Sequence, residues 1–257
     1  MLDAKRLLDQ FLGGQQADQN QFGQQPGNQG QSPLGDLARN AGGMLSGNLG
    51  GIGGGAVAGG LAAILLGSKT GRNIAGNVAT YGGMAALGAL AYHAYRNYQA
   101  GQSPSASATT ATSVPALPAP QGTPFNPASE ADQQSLGRNL LRAMIAAAKA
   151  DGHVDATEQS NIFAQMDKLN LSADDKAFVI DELRRPLDVD AVAKAARSPE
   201  EAAEIYAASL LAIDVDNPAE RGYLDMLAAR MNLDEKLIAH LHATIEAATE
   251  KTPAPAR

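Results

Sequence analysis

The chain has 257 residues, no Cys, no Trp and a formal net charge of −7. Without Cys, disulfides, thiolate metal centres and cysteine nucleophiles are excluded, and aromatics at 4% leave little for a large aromatic core. Charge is divided along the chain: residues 1–96 hold six Lys/Arg against four Asp/Glu, and residues 97–257 hold fourteen against twenty-three. The second part therefore lacks the basic face that nucleic acid demands.

In residues 1–12, Leu2, Leu8, Phe11 and Leu12 fall close together on a helix, with Asp3, Lys5, Arg6 and Asp9 elsewhere. Such a short amphipathic helix suits an interface or a partner and equally a marginal chain end. It lacks the continuous apolar stretch and small-residue cleavage site of a secretory signal. The Gln- and Gly-rich remainder of the first region, 1–39, has too few apolar groups to offset chain entropy and is expected to be disordered.

The second region, 40–96, contains two charge-free runs, 40–68 and 73–95, separated by Lys69 and Arg72. Gly43, Gly47, Gly51, Gly55 and Gly59 recur at an unbroken spacing of four. On a helix that spacing makes one side-chain-free face, the close-packing device of membrane helices. Each run is long enough to span a bilayer, which takes about 20 predominantly apolar residues. Tyr81, Tyr92, Tyr95 and Tyr98 lie near the ends of the second run, as interfacial aromatics do. The expectation is a membrane helical hairpin that contacts lipid and self-associates through its glycine stripe. A soluble Gly/Ala-rich helix pair or an unstructured stretch is the alternative. His93, at the end of the second run, is expected at the interface.

Residues 97–128 carry no charge and six Pro, the composition of a semi-extended linker. From 129 to 251 the pattern is helix after helix, followed by a short tail, 252–257. Helix starts are marked at Ser129, at Asp155 with Glu158, at Ser172, at Ser198 with Glu201, at Asn217 with Glu220, and at Asn232 with Glu235. Apolar residues then recur at helical spacing, as in Leu140, Leu141, Met144, Ile145 or Leu237, Leu241, Ile245. The domain is expected to be an all-α bundle of about seven helices, with His240 and His242 late in the last one. Stretches 158–171 and 220–233 share length and an Asn-Leu ending, which suggests two related halves.

Two acidic turns are the candidate sites: Asp151, Asp155 and Glu158 in the first, Asp214, Asp216 and Glu220 in the second. Converging carboxylates hold Ca²⁺ or Mg²⁺ through oxygen, but neither turn has the EF-hand pattern. Helix capping and the helix dipole explain Asp155, Glu158, Asn217 and Glu220 equally well. His153 lies in the first turn as a ligand, a base or simply an exposed side chain. No nucleophile elbow, P-loop or dinucleotide fingerprint is present, so a non-enzymatic role is the default.

Three stretches, 59–99, 142–158 and 202–228, resemble the YebE-like family of bacterial inner-membrane proteins of unknown function. The second part resembles the TerB-like helical fold named for tellurite-resistance proteins. That resemblance implies metal binding at the acidic Ala150-Asp151-Gly152 turn, with Glu158 following; the second turn lacks the Gly. Together these features lead to a membrane-anchored, non-enzymatic protein of the bacterial inner membrane. It presents an acidic TerB-like domain, assigned to the cytoplasm, to a protein partner, with a divalent cation as the one cofactor it suits. The alternatives are a soluble metal-sensing or stress-response protein and a metal-dependent enzyme.

Overall fold

A helix that is apolar all round belongs in a core, and the segment Pro199–Ala212 has that character: every residue from Glu201 to Ala212 is buried. The computed structural model describes residues 3–11, 83–104, 119–150, 172–213, 215 and 218–249. Within them lie eight helices: α1 (Ala4–Phe11), α2 (Gly83–Gln99), α3 (Glu130–Ala148), α4 (Ala173–Arg184), α5 (Val189–Ala193), α6 (Pro199–Ala212), α7 (Pro218–Arg230) and α8 (Glu235–Thr249). The described residues form no strand, only an isolated bridge between Thr123 and Asn126. The described part of the chain is all-α, as its periodicity predicts.

α6 is the axis of the bundle. It packs most extensively on α3, then on α2, α8 and α7. α3 contributes Leu136, Leu140, Leu141 and Met144, each with no exposed surface. Fully burying side chains of this size contributes about 1.5–3 kcal/mol apiece.

The start signals read from sequence are met at Ser129, Ser172 and Ser198. Each hydroxyl accepts from the backbone N–H three residues on, Asp132, Asp175 and Glu201 respectively. At Ser172 the Asp175 carboxylate closes a reciprocal capping box. Asn232 behaves differently. It ends α7 in the left-handed region at φ 52°, with Asn232 N–H donating to the Ala229 carbonyl and Leu233 N–H to that of Ala228. This is a Schellman C-cap, which Asn tolerates. Asp234 caps α8 instead, its carboxylate accepting from Lys236 N–H at 2.8 Å.

The largest departure from the sequence expectation concerns 83–104. No helix among the described residues is long and apolar enough to cross a membrane, and α2 has 17 residues. It is a wall of the bundle, lying against α8 and α6 and burying Met84, Leu87, Leu90, Ala91 and Ala94. The membrane hairpin is thus corrected over its second arm from Gly83 onward. The physical reason is that a small-residue face admits a protein backbone as readily as a membrane helix. At Gly88 a Cβ would stand 2.4 Å from the Phe125 carbonyl oxygen. The glycine stripe Gly43, Gly47, Gly51, Gly55 and Gly59 lies outside the described residues.

Two segments expected apart from the bundle also pack into it. The turn at 119–128, read as linker, inserts Phe125 (4% exposed) against the rings of Tyr92 and Tyr95, with centroids 5.8 and 5.7 Å away. α1 buries Leu7 and Leu8 and lies on α3 and α2. Its N-terminus is strapped by Ala4 N–H to Gln134 Oε1 (2.7 Å), Gln134 Nε2 to Asp3 Oδ1 (2.8 Å) and Asp3 N–H to Asp175 Oδ1 (3.0 Å). Gly137 makes this possible, since a Cβ there would meet the Ala4 backbone at 3.1 Å.

Candidate functional site

A cleft of about 470 Å³ lies where the C-terminal end of α2 meets the ends of α5, α6, α7 and α8. Tyr95 and Tyr98 form its aromatic wall, their ring centroids 6.3 Å apart at 53°. Burial and the neighbouring Glu200 carboxylate hold the Tyr95 phenol above its ordinary value. Pro199, Ala202 and Leu237 supply apolar surface, and Arg197, Arg230 and Asp234 the charge.

Each of those three charges has a structural partner. Arg197 binds Glu201 through Nε and Nη2 at 3.0 and 2.8 Å, and Asp132 through Nη1 at 3.2 Å. Arg230 Nε pairs with Asp190 at 3.0 Å, and Asp234 is the α8 cap. These contacts tie α3, α5, α6 and α7 together and fix the rim. The cleft thus combines two aromatic rings with a mixed polar and apolar lining whose charged side chains are already paired.

The sequence-predicted acidic set is only partly visible. Asp151, Asp155, Glu158, Asp214 and Asp216 lie outside the described residues, as does His153. Glu220 sits half-buried in the first turn of α7, where its charge complements the helix dipole. Among the described residues, no group of three or more His, Asp or Glu side chains is placed to hold a metal ion.

The described histidines are structural. His240, read as a late-helix cation, is buried mid-helix (4% exposed) with Nε2 3.0 Å from the Gln102 carbonyl oxygen. It pins the chain beyond α2 to α8. His242 Nε2 lies 3.0 Å from the Tyr206 hydroxyl. Burial, with the Asp225 carboxylate second, pushes Tyr206 up to about 12. A phenol that keeps its proton donates, so Nε2 is the accepting nitrogen, and burial holds His242 below its ordinary value. His93 stands edge-on to Tyr92, ring centroids 5.4 Å apart, with its pKa lowered by burial and by Arg96.

Two buried carboxylates differ sharply. Glu182 accepts from Arg142 Nη2 at 2.8 Å and from Arg185 Nη1 at 3.0 Å. Glu204, on α6, has no exposed surface, and neither carboxyl oxygen has a hydrogen-bond partner. Burial, reinforced by the Glu201 carboxylate, raises its pKa well above the usual carboxylate range. The Tyr223 hydroxyl, also buried without a partner, lies near Ser209 outside hydrogen-bond geometry. Ser209 donates instead to the Ala143 carbonyl at 3.5 Å, and burial pushes the Tyr223 phenol up to about 12. Nothing in the Glu-Glu-Ala-Ala-Glu sequence separates Glu204 from an exposed acidic helix position.

Comparison with known proteins adds a family and no activity. The family described as "Protein of unknown function (DUF533)" matches residues 51–245. An uncharacterized protein in the ampR 5′ region of Yersinia enterocolitica is 33% identical over 98 residues, 38% of this chain and 70% of that protein. No solved structure matches.

Proposed function

The chain belongs to the DUF533 family, a TerB-like family, and on that footing we propose a non-enzymatic interaction protein whose helical domain docks a protein partner in the Tyr95–Tyr98 cleft. The observation that carries this reading is the state of the cleft's charges. Arg197, Arg230 and Asp234 are spent on ion pairs and a helix cap, while the half-buried Tyr95 and Tyr98 rings line the cleft. Aromatic side chains beside a fixed polar rim are the usual anchors of protein interfaces.

The segment 40–82, charge-free but for Lys69 and Arg72, serves as the attachment to the bacterial inner membrane, with the domain on the cytoplasmic side. Two features support it. Sequence composition there suits lipid, and the family match runs unbroken from that run into the helical domain. Asp9 Oδ1 accepts from Met84 N–H at 3.0 Å, so the two described positions that flank this segment are neighbours. A divalent cation at Asp151 and Glu158 tunes the domain's stability, relieving repulsion between like charges.

Membrane fractionation with an alkaline carbonate wash, followed by in-membrane crosslinking, tests both parts. The full-length chain is expected in the washed pellet, crosslinked to a partner that Tyr98→Ser fails to capture. Release to the supernatant would remove the anchor, and unchanged crosslinks in Tyr98→Ser would remove the cleft.

A further inference from the structure

Glu204 is the most costly side chain in the described core. Desolvating a carboxyl without a hydrogen bond is unfavourable, and far more so once it is charged. Its position is specific. It lies where α2 comes closest to α6: a Cβ on Gly88 would stand 3.3 Å from Glu204 Oε1 and 2.4 Å from the Phe125 carbonyl oxygen. The carboxyl is therefore roofed by α2 backbone and by the Phe125 turn, with no room for a larger residue between them.

No cation among the described residues compensates it. On its own helix, Glu201 adds charge of the same sign and is itself bound to Arg197. α2 presents Gly88, and the Phe125 turn presents a carbonyl. The buried face of α3, which packs along α6, carries no titratable side chain. From α7, Tyr223 lies near Ser209. From α8, His240 is engaged by the Gln102 carbonyl and His242 by Tyr206. A neutral carboxylic acid costs far less in this site than a carboxylate, and the backbone of α2 at Gly88 is what lies against Oε1.

We propose that Glu204 is a proton-dependent latch for α2: the helix is seated while the carboxyl is neutral and is released when it ionises. α2 also carries Tyr95 and Tyr98 into the cleft about two turns beyond Gly88, so release dismantles the aromatic wall. The consequence for the cleft rests on the proposed docking function; the latch itself does not. Partner docking would be strongest with Glu204 protonated and would weaken as proton loss frees α2.

Amide hydrogen exchange of the full-length chain from pH 6 to pH 9, corrected for the intrinsic chemistry of exchange, reads the latch without any partner. The opening constant of α2 is expected to rise by up to about tenfold per pH unit between the ordinary carboxyl value and the raised folded one, as one released proton requires, and to level off once the seated carboxyl ionises. α3 and the second half of α6, which open only on global unfolding, should show smaller opening constants than α2 at every pH. Glu204→Gln should flatten the α2 profile, and Glu204→Leu, which cannot titrate, should do the same if the amide packs poorly. Gly88→Ala should raise α2 opening at every pH by pushing the helix off the Phe125 turn. An α2 opening constant no larger than that of α3, or an α2 profile unchanged in both Glu204 variants, would overturn the latch. Crosslinking of Tyr98→Ser tests the cleft separately, so the two ideas fail independently.

Discussion

Asp9 caps a helix to which it is not locally connected: its Oδ1 accepts the Met84 backbone N–H at 3.0 Å across 75 positions of sequence. The first N–H groups of a helix have no partner within it, so this carboxylate satisfies one orphan donor of α2 and ties α1 to α2. Replacing a capping carboxylate with Ala costs about 1 kcal/mol. Asp9→Ala is expected to lower the urea midpoint accordingly and to speed amide exchange in both helices. An effect confined to α1 would show that the cap is not coupling them.

Gly88 tests the close approach of α2. Gly→Ala inside a helix normally gains about 1 kcal/mol of propensity. Here the added methyl would stand 2.4 Å from a backbone oxygen, and overpacking of this kind costs about 1–3 kcal/mol. Gly88→Ala should therefore be destabilising or neutral, while Gly222→Ala, with nothing within 4 Å, should be stabilising. A Gly88→Ala chain stabilised as much as Gly222→Ala in thermal unfolding would contradict the packing described for α2.

The contrast between these glycines shows what the sequence could reveal. The helical class, the Ser129, Ser172 and Ser198 caps and the core face of α3 are local patterns, and local patterns are legible. Asn232 was read as a start because Asn serves both N-caps and left-handed C-caps, and only the path of the chain decides between them. α2 read as a membrane arm because its partners, Phe125, α6 and α8, come from far along the chain. A charge-free Gly/Ala face looks the same whether protein or lipid covers it. Glu204 was invisible because its burial follows from α6 being enclosed on all sides, which no window of sequence displays. The acidic-turn candidates at Asp151, Asp155, Glu158, Asp214 and Asp216 lie outside the described residues and stand as the sequence left them.

Glu204 also sets an expected pH dependence of global stability. Its folded pKa is raised above the ordinary value of 4.5, so between that value and the folded one the native state holds a proton that the unfolded chain has lost. Its contribution is fully present below about pH 4.5 and declines as pH rises, by up to about 1.4 kcal/mol per unit, until the folded carboxyl ionises. Urea unfolding from pH 4.5 upward should show this decline in the wild type and a shallower one in Glu204→Gln. Parallel profiles would mean that the carboxyl is solvated in the folded chain.

The acidic turns yield a cation prediction. If Asp151 and Glu158 hold a divalent ion, then Ca²⁺, Mg²⁺ or Zn²⁺ at a hundred times its dissociation constant should stabilise the native chain by about 2.7 kcal/mol. Asp151→Ala combined with Glu158→Ala should abolish that gain. Wild-type unfolding unaffected by all three ions would end the cation-linked reading.

The central claim is that α2 is a wall of the helical domain and not a membrane arm. A benzoylphenylalanine photocrosslinker in place of Tyr92, whose ring centroid lies 5.8 Å from that of Phe125, tests it most directly in the full-length chain within its native cells. The account predicts an intramolecular crosslink to the peptide containing Phe125. Crosslinks to lipid or to a second polypeptide, with none to that peptide, would contradict it.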